Sequence, residues 1–132
     1  MTKQGEQEGL VRLRKISVAK YKLGDYGIYS NRTVRGGTKI SKHAEGRAWD
    51  AKCDALNSAG LKKGNDYRDI LIANHAALGI EKIIWNREVW TPDEGMCEYT
   101  GLVPHTNHLH IEMSWDRAAH NVLSLEELSN LL

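Results

Sequence analysis

Three of the six histidines, His105, His108 and His110, fall within six residues of one another. Imidazole both ligates transition metals and exchanges protons near neutral pH, so such a cluster points to metal or acid–base chemistry. A second grouping stands upstream, where His43 and Asp50 lie seven residues apart on either side of Gly46. A glycine permits a tight backbone there, and a turn can bring the two side chains toward one point. Catalytic zinc takes three protein ligands from His, Asp, Glu or Cys and keeps a fourth position for water. His43, Asp50 and His110 can supply that set, one ion per chain. Two imidazoles and one carboxylate leave a net positive site, able to lower the pKa of a bound water from about 15.7 to about 7. The same donors suit non-haem iron, so ligand type alone leaves the metal open. The HxD spacing common in such iron sites is absent, which favours zinc.

The elements that must position these residues are read from periodicity. His108-Leu-His-Ile-Glu-Met113 alternates, which predicts a strand with His108, His110 and Glu112 on one face and Leu109, Ile111 and Met113 on the core face. Residues 46–53 read as a second strand with Ala48 and Asp50 sharing a face. A helix is expected from Leu10 to about Lys22, on the spacing of Leu10, Leu13 and Ile16/Ser17. A short β-prone run, 26–30, leads to a loop that can deliver Arg32 and Arg35 to a cleft. Asp66 reads as the N-cap of a helix running from Tyr67 to a stop at Gly79. Residues 81–90 are β-formers, giving one bent strand or a hairpin around Asn86 and Arg87. Residues 91–107 read as a loop, marked by Pro92, Gly95, Gly101 and Pro104. Ser124-Leu-Glu-Glu127 is a capping box opening a terminal helix. Residues 1–9 are polar and are expected to form a flexible arm. The layout predicts an α+β fold with a small, mainly antiparallel sheet flanked by helices.

A chain of 132 residues suits a single domain, and 41% hydrophobic with 27% charged residues is enough apolar material for a core. The formal charge of +1 gives no field to gather nucleic acid. No apolar run approaches the roughly 20 residues that span a bilayer, and the first residues lack the apolar centre of a secretion signal. The expectation is therefore cytoplasmic synthesis, with neither nucleic acid nor membrane insertion. Cys53 and Cys97 are too few for a disulfide framework and read as free thiols. His75 and His120, isolated, read as structural.

Ser41-Lys-His43-Ala-Glu-Gly46-Arg-Ala48-Trp-Asp50 resembles, at every fixed position, the SxHxxGxAxD motif of the zinc D-Ala-D-Ala carboxypeptidase group, and His108-Leu-His110 resembles its later HxH. The two motifs span about a tenth of the chain. Residues 66–115 look most similar to small phage and actinobacterial, endolysin-like members. The resemblance implies the fold shared by hedgehog signalling domains and these peptidases. It also implies zinc on His43, Asp50 and His110, and cleavage of an amide bond beside a D-amino acid in peptidoglycan stem peptides or cross-links. A phage lysin of this kind would act on the cell wall after release through a holin-type factor.

One position departs from the family. Members commonly carry Glu or Asp three residues before the last ligand, as general base, and this chain has Asn107. Some murein endopeptidases of the group carry His-x-x-His-x-His instead, which His105-Thr-Asn-His108-Leu-His110 resembles. That likeness makes His108, helped by His105, the acid–base residue. Arg32 or Arg35 is expected to hold an oxyanion or a substrate carboxylate. Ser41 and Asn107 are expected to support the ligands from behind. The alternative reading is a zinc-binding recognition module of the same fold that has lost catalysis, kept alive by Asn107.

Overall fold

Leu10, Leu13 and Ser17 lie on one stripe of helix α1 (Glu8–Tyr21) and are buried along it. The computed structural model describes residues 5–28, 45–101 and 103–132. After α1 come strands β1 (Gly24–Gly27) and β2 (Ala48–Lys52), then helices α2 (Ser58–Ala73) and α3 (His75–Leu78). Strands β3 (Ile80–Trp85), β4 (Glu88–Thr91), β5 (Gly95–Glu98) and β6 (His108–Met113) follow. A single π-helical turn, Asp116–His120, and helix α4 (Leu125–Leu131) end the order. The fold is α+β, with one six-stranded antiparallel sheet ordered β1-β2-β6-β3-β4-β5. Among the described residues, no helix is long and apolar enough to cross a membrane.

Alternation sorts the sheet into two faces. Trp49 and Ala51 of β2, Leu109, Ile111 and Met113 of β6, and Ile83 and Trp85 of β3 pack with Leu10, Leu13, Tyr67 and Leu71 of the helices into one core. The opposite face carries Asp50 and Lys52 of β2 and His108, His110 and Glu112 of β6, in register Asp50↔His110 and Lys52↔His108. Both helices α1 and α2 are tied across the core by Tyr67, whose hydroxyl lies 2.6 Å from Ser17 Oγ. The tilted Tyr21–Tyr67 ring pair, 5.0 Å between centroids, extends that seam.

Several expectations need correction. Helix α2 starts eight residues before Asp66, capped by the Asn57 side chain, which accepts from the amides of Ala59 and Gly60. Asp66 sits inside the helix, paired with Lys62 at 2.7 Å. Gly60 and Gly64 both lie inside this helix at positions of close packing. A Cβ on Gly60 would strike the Asp54 backbone, and one on Gly64 the Trp85 ring. The 91–107 segment is not all loop, because β5 pairs with β4 from Glu88↔Glu98 to Thr91↔Gly95. Strand β1 begins at Gly24, two residues before the expected run 26–30, and ends at Gly27, while residues 29 and 30 lie outside the described residues.

The expected arm at 1–9 is docked where it is described. Glu8 and Gly9 belong to α1, and Glu6 is buried and held by the Arg14 guanidinium at 3.2 and 3.3 Å. The Gln7 amide donates to the Gly46 carbonyl at 3.0 Å. Gly46 itself has φ +75, and a Cβ on it would collide with the Gly5 carbonyl. This motif glycine therefore lets the N-terminal segment clasp the turn that leads into β2. Buried Arg47 fixes the start of the same strand, bonding Glu45 at 3.0 Å, Glu81 at 2.7 Å and the Met113 carbonyl at 3.0 Å.

Of the two readings of residues 81–90, the hairpin is correct. Asn86 and Arg87 both take positive φ, 49 and 66, the conformation of a tight two-residue turn between twisted strands. Among the described residues Cys53 and Cys97 are free thiols, the first buried and donating to the Gly60 carbonyl.

Candidate metal and acid–base site

The site is assembled where β2 meets β6, on the sheet face opposite the core. Asp50 and His110 are cross-strand partners, and His110 Nδ1 donates to Asp50 Oδ1 at 3.1 Å. The other ring nitrogen, Nε2, donates to Glu112 Oε2 at 2.9 Å. Burial alone would push the His110 pKa down, but hydrogen bonds to Asp50 and Glu112 outweigh it and hold it up at about 9. His108 Nε2 reaches toward the same Asp50 oxygen, 3.7 Å away. Its Nδ1 donates to Asn107 Oδ1 at 2.7 Å. The side chain that cannot take a proton thus sets the tautomer of one that can: in the neutral ring Nδ1 keeps the proton and Nε2, toward Asp50, is the atom that can gain one.

His105 arrives from the segment before β6 with a left-handed backbone, φ 57. Hydrogen bonds from two directions fix that segment. The Asn86 and Arg87 amides of the β3–β4 turn donate to the carbonyls of His105 (2.8 Å) and Pro104 (2.9 Å). From the far end of β2, the Cys53 and Ala55 amides donate to Asn107 (3.2 Å) and Thr106 (2.7 Å). The residue His105 is 8% exposed, and its ring packs at a tilt against His108 with centroids 4.6 Å apart, meets Tyr99 edge-on at 5.1 Å and lies 5.9 Å from His110. Its Nδ1 donates to the Val103 carbonyl at 2.5 Å. Burial first, and His108 beside it second, lower its pKa to about 4. His105 is therefore neutral around pH 7, with its ring lying against that of His108.

That shift predicts a pH effect. Unfolded His105 titrates near 6.5 and folded His105 near 4, so the unfolded chain binds the extra proton between those values. The stability is complete above about pH 6.5 and is lost as pH falls toward 4, by about 2–3 kcal/mol. Urea unfolding at pH 7 and pH 4.5 should show this loss, and His105→Asn, which tolerates the left-handed backbone, should flatten it. Equal acid slopes in the two proteins would refute the assignment.

Of the residues expected to form the site, the structure brings together Asp50, His110, His108, His105 and Asn107. His43, Arg32, Arg35 and Ser41 lie outside the described residues. Among the described residues no group of three His, Cys, Asp or Glu side chains is arranged to hold a metal. The two described members of the expected ligand set, an imidazole nitrogen and a carboxylate oxygen 3.1 Å apart, are donor types that suit zinc.

Three neighbours were not singled out from the sequence. Glu112 shares the alternating face of His108 and His110, so the signal was present and only its role was missed. Lys52 follows Asp50 by two and lies beside His108 in register. Tyr26 of β1 places its ring edge-on to His108 at 6.1 Å, with Lys52 Nζ 5.8 Å from its centroid.

Fold and site together define a class: an α+β domain that gathers imidazoles and carboxylates on the sheet face opposite its apolar core. A family model described as the VldE C-terminal domain matches residues 2–110, and the chain belongs to that family. The match runs through β6 as far as His110, the last expected ligand. No curated protein and no solved structure matches the chain.

Proposed function

We propose that this protein is a zinc-dependent peptidase that hydrolyses an amide bond in peptidoglycan stem peptides or cross-links. The observation that carries the reading is the convergence of two imidazole nitrogens, His110 Nδ1 at 3.1 Å and His108 Nε2 at 3.7 Å, on one oxygen of Asp50. Beside it stands the likeness of the residue 41–50 and 108–110 motifs to the D-Ala-D-Ala carboxypeptidase group.

In this reading His43, Asp50 and His110 hold the metal. Bound zinc would supply an acidified water and a Lewis acid for the scissile carbonyl. The rest of the chemistry belongs to the chain. His108 takes a proton on Nε2 and returns it to the leaving amine, with Asn107 fixing its other nitrogen as a donor. His105 packs against the His108 imidazole, with Tyr99 edge-on to His105. Arg32 or Arg35 meets a substrate carboxylate. The substrate lies in the cell wall, which a chain made in the cytoplasm would reach through a holin-type release.

Mass spectrometry of purified muropeptides incubated with the protein, with and without a zinc chelator, tests the proposal. A chelator-sensitive product is expected, and its mass names the bond. Tight zinc binding with no product across several wall types would instead favour the non-catalytic recognition module.

A further inference from the structure

The His110 ring has a carboxylate on each nitrogen, which is one more than ligation requires. Asp50 faces Nδ1 at 3.1 Å and Glu112 faces Nε2 at 2.9 Å. The two sides are not equivalent. Nδ1 looks to the point where His108 Nε2 also converges, whereas Nε2 looks along β6 to a carboxylate two residues on, and Glu112 is only 7% exposed. Register places Glu112 between Ala48 of β2 and Lys82 of β3, in the middle of the sheet and away from its edges. A carboxylate buried there costs free energy unless it is hydrogen-bonded, and the His110 N–H supplies a charge-assisted bond.

We infer that Glu112 is a positioning residue: by accepting the Nε2 proton of His110 it fixes the tautomer in which Nδ1 carries the lone pair and serves as the metal-ligating nitrogen. A neutral imidazole has one proton to place, and the partner of one nitrogen decides what the other can do. Asn107 does the same for His108 from the opposite nitrogen. The two neighbouring imidazoles therefore present opposite atoms to Asp50, Nδ1 from His110 and Nε2 from His108. The inference deepens the zinc reading of this site and rests on it.

The test measures zinc affinity of the full chain by competition with a chromogenic chelator, for the wild type, Glu112→Ala and Glu112→Gln. Nitrogen-detected NMR of the zinc-loaded wild type locates the His110 proton. Glu112→Ala should bind zinc about 10–100-fold more weakly, the usual effect of losing such a partner. Glu112→Gln, whose amide oxygen still accepts from Nε2, should recover most of that loss. The wild-type proton should sit on Nε2.

Unchanged affinity in Glu112→Ala, or a proton on Nδ1, overturns the inference. So does a loss in Glu112→Gln as complete as in His110→Ala, since that would make Glu112 a ligand. If Glu112→Ala does not fold, as judged by circular dichroism, the Gln variant and the wild-type spectrum decide. A wild type that takes up zinc but leaves muropeptides uncut refutes the peptidase alone. A wild type that takes up no zinc refutes the zinc reading, and the inference falls with it.

Discussion

Alanine at His110 is expected to remove both zinc binding and peptidoglycan hydrolysis. His110 stands at the centre of the site, on the middle of β6, cross-strand to Asp50 and bonded on both ring nitrogens. Losing a partner behind a ligand costs about 10–100-fold in affinity or activity, so loss of a ligand itself should exceed about 100-fold in both. The fold should survive. His110 lies on the face opposite Trp49, Leu109 and Ile111, and the core does not include it. Chelator competition and muropeptide mass spectrometry on the same preparation give the two readouts, with circular dichroism as the control for folding. A His110→Ala protein that still cuts muropeptides at the wild-type rate would sink the site assignment.

The largest effect on stability is expected at Trp49, one residue before Asp50, the other proposed ligand on a strand. Its ring is fully buried among α1, β2 and β6 residues, and its Nε1 donates to Asp25 Oδ1 of β1 at 2.9 Å. Trp49→Ala leaves a cavity the surrounding side chains cannot fill and should cost about 3–5 kcal/mol. For a domain with about 5–15 kcal/mol in all, that is a large fraction of the whole. Urea unfolding followed by far-ultraviolet circular dichroism should show the midpoint fall accordingly. The same substitution should also weaken zinc binding, because Asp50 rides on the strand that Trp49 anchors. A loss below about 1 kcal/mol would mean that Trp49 is not the core residue its burial makes it.

Much of the site was legible because its strands alternate. A period of two assigns each residue of 108–113 to a face, and the structure reproduces that assignment, with Leu109, Ile111 and Met113 in the core. The capping box at Ser124 and Glu127 was likewise a local signal with a local cause. What escaped reading depended on tertiary contact. Gly60 and Gly64 look like helix breakers until Asp54 and Trp85 are seen against them. Strand β5 carries Gly95 and has no apolar alternation of its own, so only pairing with β4 makes it a strand. Asn107 read as a missing base, and its use as an orienting acceptor for His108 needed the geometry. Glu112 was placed on the correct face, but nothing in spacing alone says that its carboxylate meets the far nitrogen of His110.

The strand order has a consequence for how the site comes into being. β1 pairs with β2, and β3, β4 and β5 form a meander, yet among the described residues the strand pairing joins these two groups only through β6, which follows all of them in chain order. As the chain emerges during synthesis, each group can form early and wait with an open edge. The segment 108–113 must then insert between them, closing long-range pairings of the kind that slow folding. Asp50 and His110 meet only at that insertion, so the chemical centre appears in the same step that completes the sheet. Any partly folded chain lacking β6 would expose two further unpaired edges, on β2 and β3, prone to aggregate, and would have no site.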